Sequence, residues 1–354
     1  MKAFTKRGAT AAAAGVAAIG LLLSGCAGGN SSSNSSSASS ETGTESNQSF
    51  IYITSDPIGQ NEFLKSGQIG INAVAEANGG KAKTFESKDD ETRRSNLDQA
   101  VNEAPAVIVM LGFQFADLAA EYAEAYPDQK FLLIDTTVEG DFDNLYTATF
   151  REQEPSYLLG VEAALLSQSK KVGSVMSLDI PLLHKYNNGF AQGATDTASD
   201  VEAIAPQYVG GENPFADTAR AKEQALAFAA TGVDQVFAVA AAANGGIHEA
   251  AAEKGFYTYG VDANQCGMAP GHVVDGTIKA VNKVVETVVG EILAGKSPKD
   301  ATSSFGLAEE GMTVVSLTDD AADSGCVVMS HPEIIEKVEA AAKAIKAGDI
   351  TVAE

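Results

Sequence analysis

Phe50-Ile51-Tyr52-Ile53-Thr54-Ser55-Asp56-Pro57-Ile58-Gly59-Gln60-Asn61, followed by a helical pattern from Glu62 to Asn78, is the stretch that decides the fold. Its first five residues are β-branched or aromatic and read as a strand. The next seven, Ile58 apart, are polar or turn-forming. Phe63, Ile69, Ile71, Val74 and Ala75 then fall roughly on one helix face, and Gly79-Gly80 stops the helix. Strand, polar loop and helix together are half of a βαβ unit.

The cycle repeats along the chain. The pattern predicts strands over 106–111, 130–135, 172–176, 203–209, 235–240 and 257–261. It predicts helices over 116–125, 155–167, 181–198, 214–231, 246–254, 278–294 and 332–347. These are too many strands for one sheet of ordinary width, so the fold class is α/β with two doubly wound parallel-sheet lobes. Ligands of such sheets sit outside the carboxyl ends of the strands. Polar or Gly-rich loops stand at several of those ends: 55–61, Gly112-Phe113-Gln114, Asp135-Thr136-Thr137, Asn244-Gly245-Gly246 and Asp262-Ala263-Asn264-Gln265. Facing pairs of these loops would form a cleft.

Outward from this domain, the first 25 residues carry Lys2, Lys6 and Arg7, then an apolar run from Ala9 to Leu23. That is the anatomy of a secretory signal. The run of about 15 residues is short of the roughly 20 that span a bilayer. Leu23-Ser24-Gly25-Cys26 resembles the bacterial lipobox, which implies that Cys26 is lipidated and anchors the chain on the extracytoplasmic side of the cell membrane. Residues 26–48 are almost all Ser, Gly, Asn, Thr and Ala and read as a flexible tether, with a reach on the order of 25 Å.

The chain has 24 Lys+Arg against 47 Asp+Glu. Removing the signal leaves 21 against 47, a net −26, which argues against nucleic acid and against an anionic membrane face. Trp is absent, so an extended sugar-stacking platform is disfavoured. Cys266 and Cys326 form an even pair in an oxidising compartment, open to a disulfide or to two separate buried thiols. His184, His248, His272 and His331 are scattered without ligand spacing, so no metal and no cofactor is expected.

Several segments together resemble the basic membrane protein family, the nucleoside-binding lipoproteins of ABC importers. They are Phe63 to Gly70, Ala125-Tyr126-Pro127-Asp128 with Phe131 and Ile134-Asp135, and Phe150-Arg151-Glu152-Gln153-Glu154 through Gly160 and Ala163-Ala164. Asp179-Ile180-Pro181, Asn188-Gly189-Phe190 and Gly193 follow, and the chain closes on Lys343-Ala344-Ile345 and Gly348-Asp349-Ile350-Thr351-Val352. The sharpest is Gly260-Val261-Asp262-Ala263-Asn264-Gln265, like the family's "GVDSDQ", with Pro270 and Lys279 beyond it. The resemblance implies a type I periplasmic-binding-protein-like fold, two lobes joined by three crossings with ligand in the hinge cleft. On that plan the first lobe takes 49–153 plus about 278–325, and the second takes 154–277 plus about 326–354.

By the same resemblance Asp262 accepts hydrogen bonds from a ribose diol, Lys279 donates to the ligand and pairs with acids lining the cleft, Asp135 supplies a further acid and Phe63 stacks on a base. Asn61 lies in the same loop, and Gly245 and Gly246 would let backbone approach the ligand. Departures qualify the base: Gln60 stands where the family has an acid, although its amide, both donor and acceptor, could still read a base edge, and Leu64 stands where the family has Asn. Ala240-Ala241-Ala242-Ala243 replaces a glycine-rich segment, and Ala238-Val239 lacks an aromatic wall worth roughly 1–3 kcal/mol of stacking. The implied function is a monomeric solute-binding lipoprotein that delivers a nucleoside or related ribosylated solute to an ABC permease. A receptor serving a membrane sensor is the first alternative. An extracellular nucleoside hydrolase is the other, disfavoured because no nucleophile, metal or acid cluster of the needed kind stands out.

Overall fold

The structure, a computed structural model, describes residues 48–354; the signal, Cys26 and nearly all of the tether lie outside the described residues. In the first lobe β1 (Ser49–Thr54), α1 (Glu62–Ala77), β2 (Lys81–Phe85), α2 (Asp90–Glu103), β3 (Val107–Leu111), α3 (Ala116–Ala125), β4 (Phe131–Ile134) and β5 (Leu145–Phe150) follow in order. The second lobe runs α4 (Gln153–Leu166), β6 (Lys171–Met176), α5 (Pro181–Thr197), β7 (Glu202–Tyr208), α6 (Thr218–Ala229), β8 (Gln235–Val239), α7 (Asn244–Lys254), β9 (Tyr257–Gly260) and β10 (Val273–Lys279). The chain then returns to the first lobe for α8 (Val281–Leu293) and β11 (Ser304–Phe305), and ends in the second with β12 (Met312–Val314) and α9 (Pro332–Ala347).

The sheets have the orders β11-β5-β4-β3-β1-β2 and β12-β10-β9-β8-β6-β7. Every pairing is parallel except that of β12 with β10. Strand alternation makes the layering visible. Phe50 and Tyr52 of β1 pack with the residues of α1 and α8, while Ile51 and Ile53 point to the opposite face, toward α2 and α3. Both faces are covered, and β3 is accordingly apolar throughout and wholly buried.

The chain passes between the sheets three times: from Phe150 to Gln153, from Lys279 to Val281, and from Phe305 to Met312. The span 278–325 expected for the first lobe is therefore too long at its far end, because Met312–Val314 already pairs with β10 of the second sheet. It also began too early, since Ile278 and Lys279 complete β10 and the helix starts at Val281. The helix expected over 214–231 starts at Thr218 because Asp217 caps it, accepting from the Arg220 N–H. Cys266 and Cys326 are joined in a disulfide with Cα atoms 4.9 Å apart, tying the loop after β9 to the segment before α9.

One buried pair in the second lobe carries a prediction. Glu162 of α4 and Asp275 of β10 are both fully buried with their carboxyl groups facing each other. Asp275 accepts from the Gly276 N–H at 2.7 Å and the Ser316 N–H at 3.2 Å. Burial, then the charge of Asp275, holds Glu162 well above the usual carboxylate range. Burial thus favours the protonated form of Glu162, in which it can donate to Asp275. A raised acid stabilises the folded chain at low pH and loses that contribution as pH climbs above the unfolded value. Glu162→Gln replaces the proton by an amide N–H. It should therefore gain stability relative to the wild type, on the order of 1 kcal/mol, growing as urea unfolding is repeated from pH 5 to pH 8. A loss that is the same at every pH would show that the pair does not share a proton.

Candidate functional site

The carboxyl ends of both sheets meet around a cavity with about 600 Å³ of empty space, part of it open to solvent. From the first lobe it is lined by Ser55, Asp56 and Asn61 after β1, Phe63 of α1, Gly112, Phe113 and Gln114 after β3, and Asp135 after β4. From the second come Leu182, Leu183 and Tyr186 of α5, Phe215 after β7, Val239 and Ala241 at the end of β8, Val261 and Asp262 after β9, and Lys279 at the end of β10. Phe113 and Phe215 meet across the cleft between the lobes, with ring centroids 6.5 Å apart.

Lys279 is the electrostatic centre. Its ammonium is almost wholly buried and donates to Asp135 Oδ1 at 2.5 Å and to Glu152 Oε1 at 3.0 Å. It also stands 4.9 Å from the ring centre of Phe63 and 4.6 Å from that of Phe150, within cation–π range. Burial alone would push this lysine down, but Asp135, Tyr186, Glu152 and Asp262 outweigh it and hold the ammonium well above its ordinary value. Lys185 adds a second cation, 3.5 Å from Glu152 Oε2. Asp135 and Glu152 thus act as counter-ions to Lys279.

Asp262 differs from its neighbours. Its main-chain carbonyl accepts from the Lys279 N–H at 3.1 Å, which ties β9's loop to β10. Among the described residues its carboxylate has no hydrogen-bond partner, and it faces the cavity. Burial, only partly countered by Lys279, pushes its pKa up to about 6. Asp135, Ala241 and Asp262, each just past a strand end on the cavity wall, have φ of +86°, +50° and +71°. Left-handed backbone at non-glycine residues costs on the order of 1 kcal/mol each, and such strain concentrates at functional sites.

Five of the expected residues therefore come together on the cavity wall: Asp262, Lys279, Asp135, Phe63 and Asn61. Asn61 also caps α1, accepting from the Leu64 N–H. Three do not line the cavity. Gln60 is exposed on the turn before α1. Gly245 and Gly246 open α7, and a Cβ on Gly246 would stand 1.9 Å from the Thr218 carbonyl oxygen. Gly246 is therefore a packing glycine that lets α7 approach α6, which requires the same residue type as a ligand contact would. Glu152, Tyr186, Phe215, Leu182 and Leu183 were not anticipated. Glu152 lay in plain view inside the segment entering the second lobe, whereas Phe215 sits in a loop with no sequence signal of its own.

Two α/β lobes, crossed three times by the chain and enclosing a cavity at their strand ends, define the class of solute-binding proteins. The chain belongs to the Bmp family, described as ABC transporter substrate-binding proteins of the PnrA-like kind, whose family model matches residues 48–343. A Lactococcus lactis protein described as an ABC transporter nucleoside-binding protein is 26% identical over 73% of this chain and 79% of its own. An uncharacterised lipoprotein of Pyrococcus abyssi is 28% identical over 83% of this chain and 74% of its own. The crystal structure of an ABC transporter solute-binding protein from Aeropyrum pernix superposes with a TM-score of 0.73 at 25% identity, covering 86% of this chain and 92% of the other. The Lactococcus and Aeropyrum proteins are described as binders of solutes.

Proposed function

We propose that this substrate-binding protein captures a nucleoside, or a related ribosylated solute, and delivers it to an ABC permease. In this reading it works as a monomer held to the outer face of the cell membrane by acyl chains on Cys26. The observation that carries the reading is the Asp262 carboxylate: partly desolvated, without a hydrogen-bond partner among the described residues, and facing the cavity. One carboxylate can accept from both hydroxyls of a vicinal diol, and bonds to a charged acceptor are about twice as strong as neutral ones. Phe63, Phe113, Phe215 and Tyr186 supply aromatic wall against which a base ring can lie. The Lactococcus relative's description points the same way.

Phe215 bears on one departure noted in the sequence. Val239 lines the cavity without an aromatic ring, but Phe215 reaches it from the loop after β7. An aromatic surface opposite the first lobe is thus present, though it comes from another part of the chain.

The test is a thermal-shift screen of the mature protein against ribonucleosides, free bases, ribose and other sugars. A ligand at about 1,000 times its dissociation constant adds about 4 kcal/mol of stability. Stabilisation by ribonucleosides but not by their 2′,3′-dideoxy forms is expected. Stabilisation by sugars alone would remove the base from the assignment, and equal stabilisation by the dideoxy forms would remove the diol.

A further inference from the structure

We infer that His248 is a positioning residue for the ligand site: with Asn244 and Gln265 it holds the loop that presents Asp262. His248 lies on α7, is completely buried and does not line the cavity. No part of the capture chemistry described above uses it.

The hydrogen-bond directions follow from fixed backbone groups. Asn244 Oδ1 accepts from the Ala240 N–H at 2.8 Å, and its amide donates to the Ala238 carbonyl at 3.0 Å. The two contacts fix which end of the Asn244 amide is oxygen. Its nitrogen also donates to Gln265 at 3.0 Å, so the Gln265 atom facing it is the carbonyl oxygen Oε1. The same oxygen lies 2.8 Å from His248 Nε2, which must therefore carry the proton and donate. Nδ1 is then the acceptor, and the Thr258 hydroxyl donates to it at 2.8 Å. Burial pushes His248 down to about 4, so the ring stays neutral and in this one tautomer at ordinary pH.

The network links the ends of two neighbouring strands. Asn244 sits where β8 turns into α7, next to Ala241 on the cavity wall. Gln265 ends the loop that leaves β9, and its side chain folds over Gly260, where a Cβ would stand 2.7 Å from Oε1. Thr258 lies within β9 itself. His248 therefore fastens Gln265 from behind while Thr258 anchors the ring to the strand. Between these fixed points the chain turns through Val261 and left-handed Asp262. On the far side, Asn264 donates to the Ser324 carbonyl and the Cys266–Cys326 disulfide closes the loop. Asp262 is strained and makes no side-chain bond of its own, so its place is set by neighbours that are held.

The inference rests on Asp262 facing the ligand, and it is tested without ligand so that the two readings fail separately. The Asp262 carboxyl is titrated by carbon-13 NMR in the unliganded wild type and in His248→Leu, His248→Gln and Gln265→Met. Released from Gln265, the loop opens to solvent, and the Asp262 midpoint is expected to fall from near 6 by about one pH unit or more. His248→Gln restores an N–H toward Gln265 and should return the midpoint close to the wild-type value. A folded His248→Leu protein with an unchanged Asp262 midpoint overturns the proposal. If His248→Leu does not fold, Gln265→Met cuts the same link and is decided by the same two outcomes.

Discussion

Replacing Lys279 with methionine is expected to destabilise the protein by about 3–5 kcal/mol at pH 7, the largest stability loss among the site residues. The reason is what the substitution leaves behind. Asp135 and Glu152 are buried around one ammonium, and Glu152 Oε2 already lacks a hydrogen bond. Without Nζ they face each other with only Lys185 nearby as counter-charge. Methionine keeps the contact with Phe63 and Phe150 but supplies no charge. Urea unfolding measures the loss. Its pH dependence gives a second check: the stranded carboxylates bind protons more readily in the folded state, so Lys279→Met should recover stability as pH falls from 7 toward 4. A loss under about 1 kcal/mol, without recovery in acid, would mean that the cluster is open to water and not the buried charge centre described here.

The same cluster shows how far sequence carries. Strands such as Val107–Leu111 and Gln235–Val239 are legible because parallel strands covered on both faces become continuous apolar runs. β2 and α2 escaped because the edge strand Lys-Ala-Lys-Thr-Phe is partly exposed and α2 buries only Arg93, Leu97 and Ala100. Neither gives the apolar periodicity that marks an element. β10 was hidden for another reason: Val273–Lys279 contains Asp275 and Gly276, and the buried Asp275 is tolerated only because Gly276, Ser316 and Glu162 supply its partners.

Within the site, sequence order and strand ends located Asp135, Asp262 and Lys279, but not their division of labour. The resemblance gives all three to the ligand and pairs Lys279 with acids of the cleft, without saying which acids. The geometry gives Lys279 to Asp135 and Glu152, and leaves Asp262 without a side-chain partner. That distinction depends on residues 144 and 127 positions away from Lys279 along the chain. Local pattern cannot encode such distances. Gly246 shows the converse: a strand-end glycine that resembles a ligand contact is occupied in helix packing.

Asp262→Ala is accordingly expected to move binding and stability in opposite directions. If the carboxylate accepts both hydroxyls of a ribose, truncation should cost about 2–4 kcal/mol of affinity, roughly 30- to 700-fold in Kd by isothermal calorimetry. The unliganded protein should become more stable. Burial raises this carboxyl to about 6, so the folded state prefers the protonated form. The resulting penalty appears as pH rises above the unfolded value near 4 and is complete above 6. Removing the group relieves it by on the order of 3 kcal/mol at pH 7, and by little near pH 4. Binding has the reverse sign. Wild-type affinity should weaken as pH falls through about 6 and the acceptor is protonated, while Asp262→Asn should bind weakly at every pH. A residue that served only to shape the loop would lose stability on truncation and leave no pH step in affinity. Observing both a stabilised empty protein and a flattened binding profile would assign Asp262 to the ligand, because only a group kept desolvated for a partner it meets on binding produces the two together.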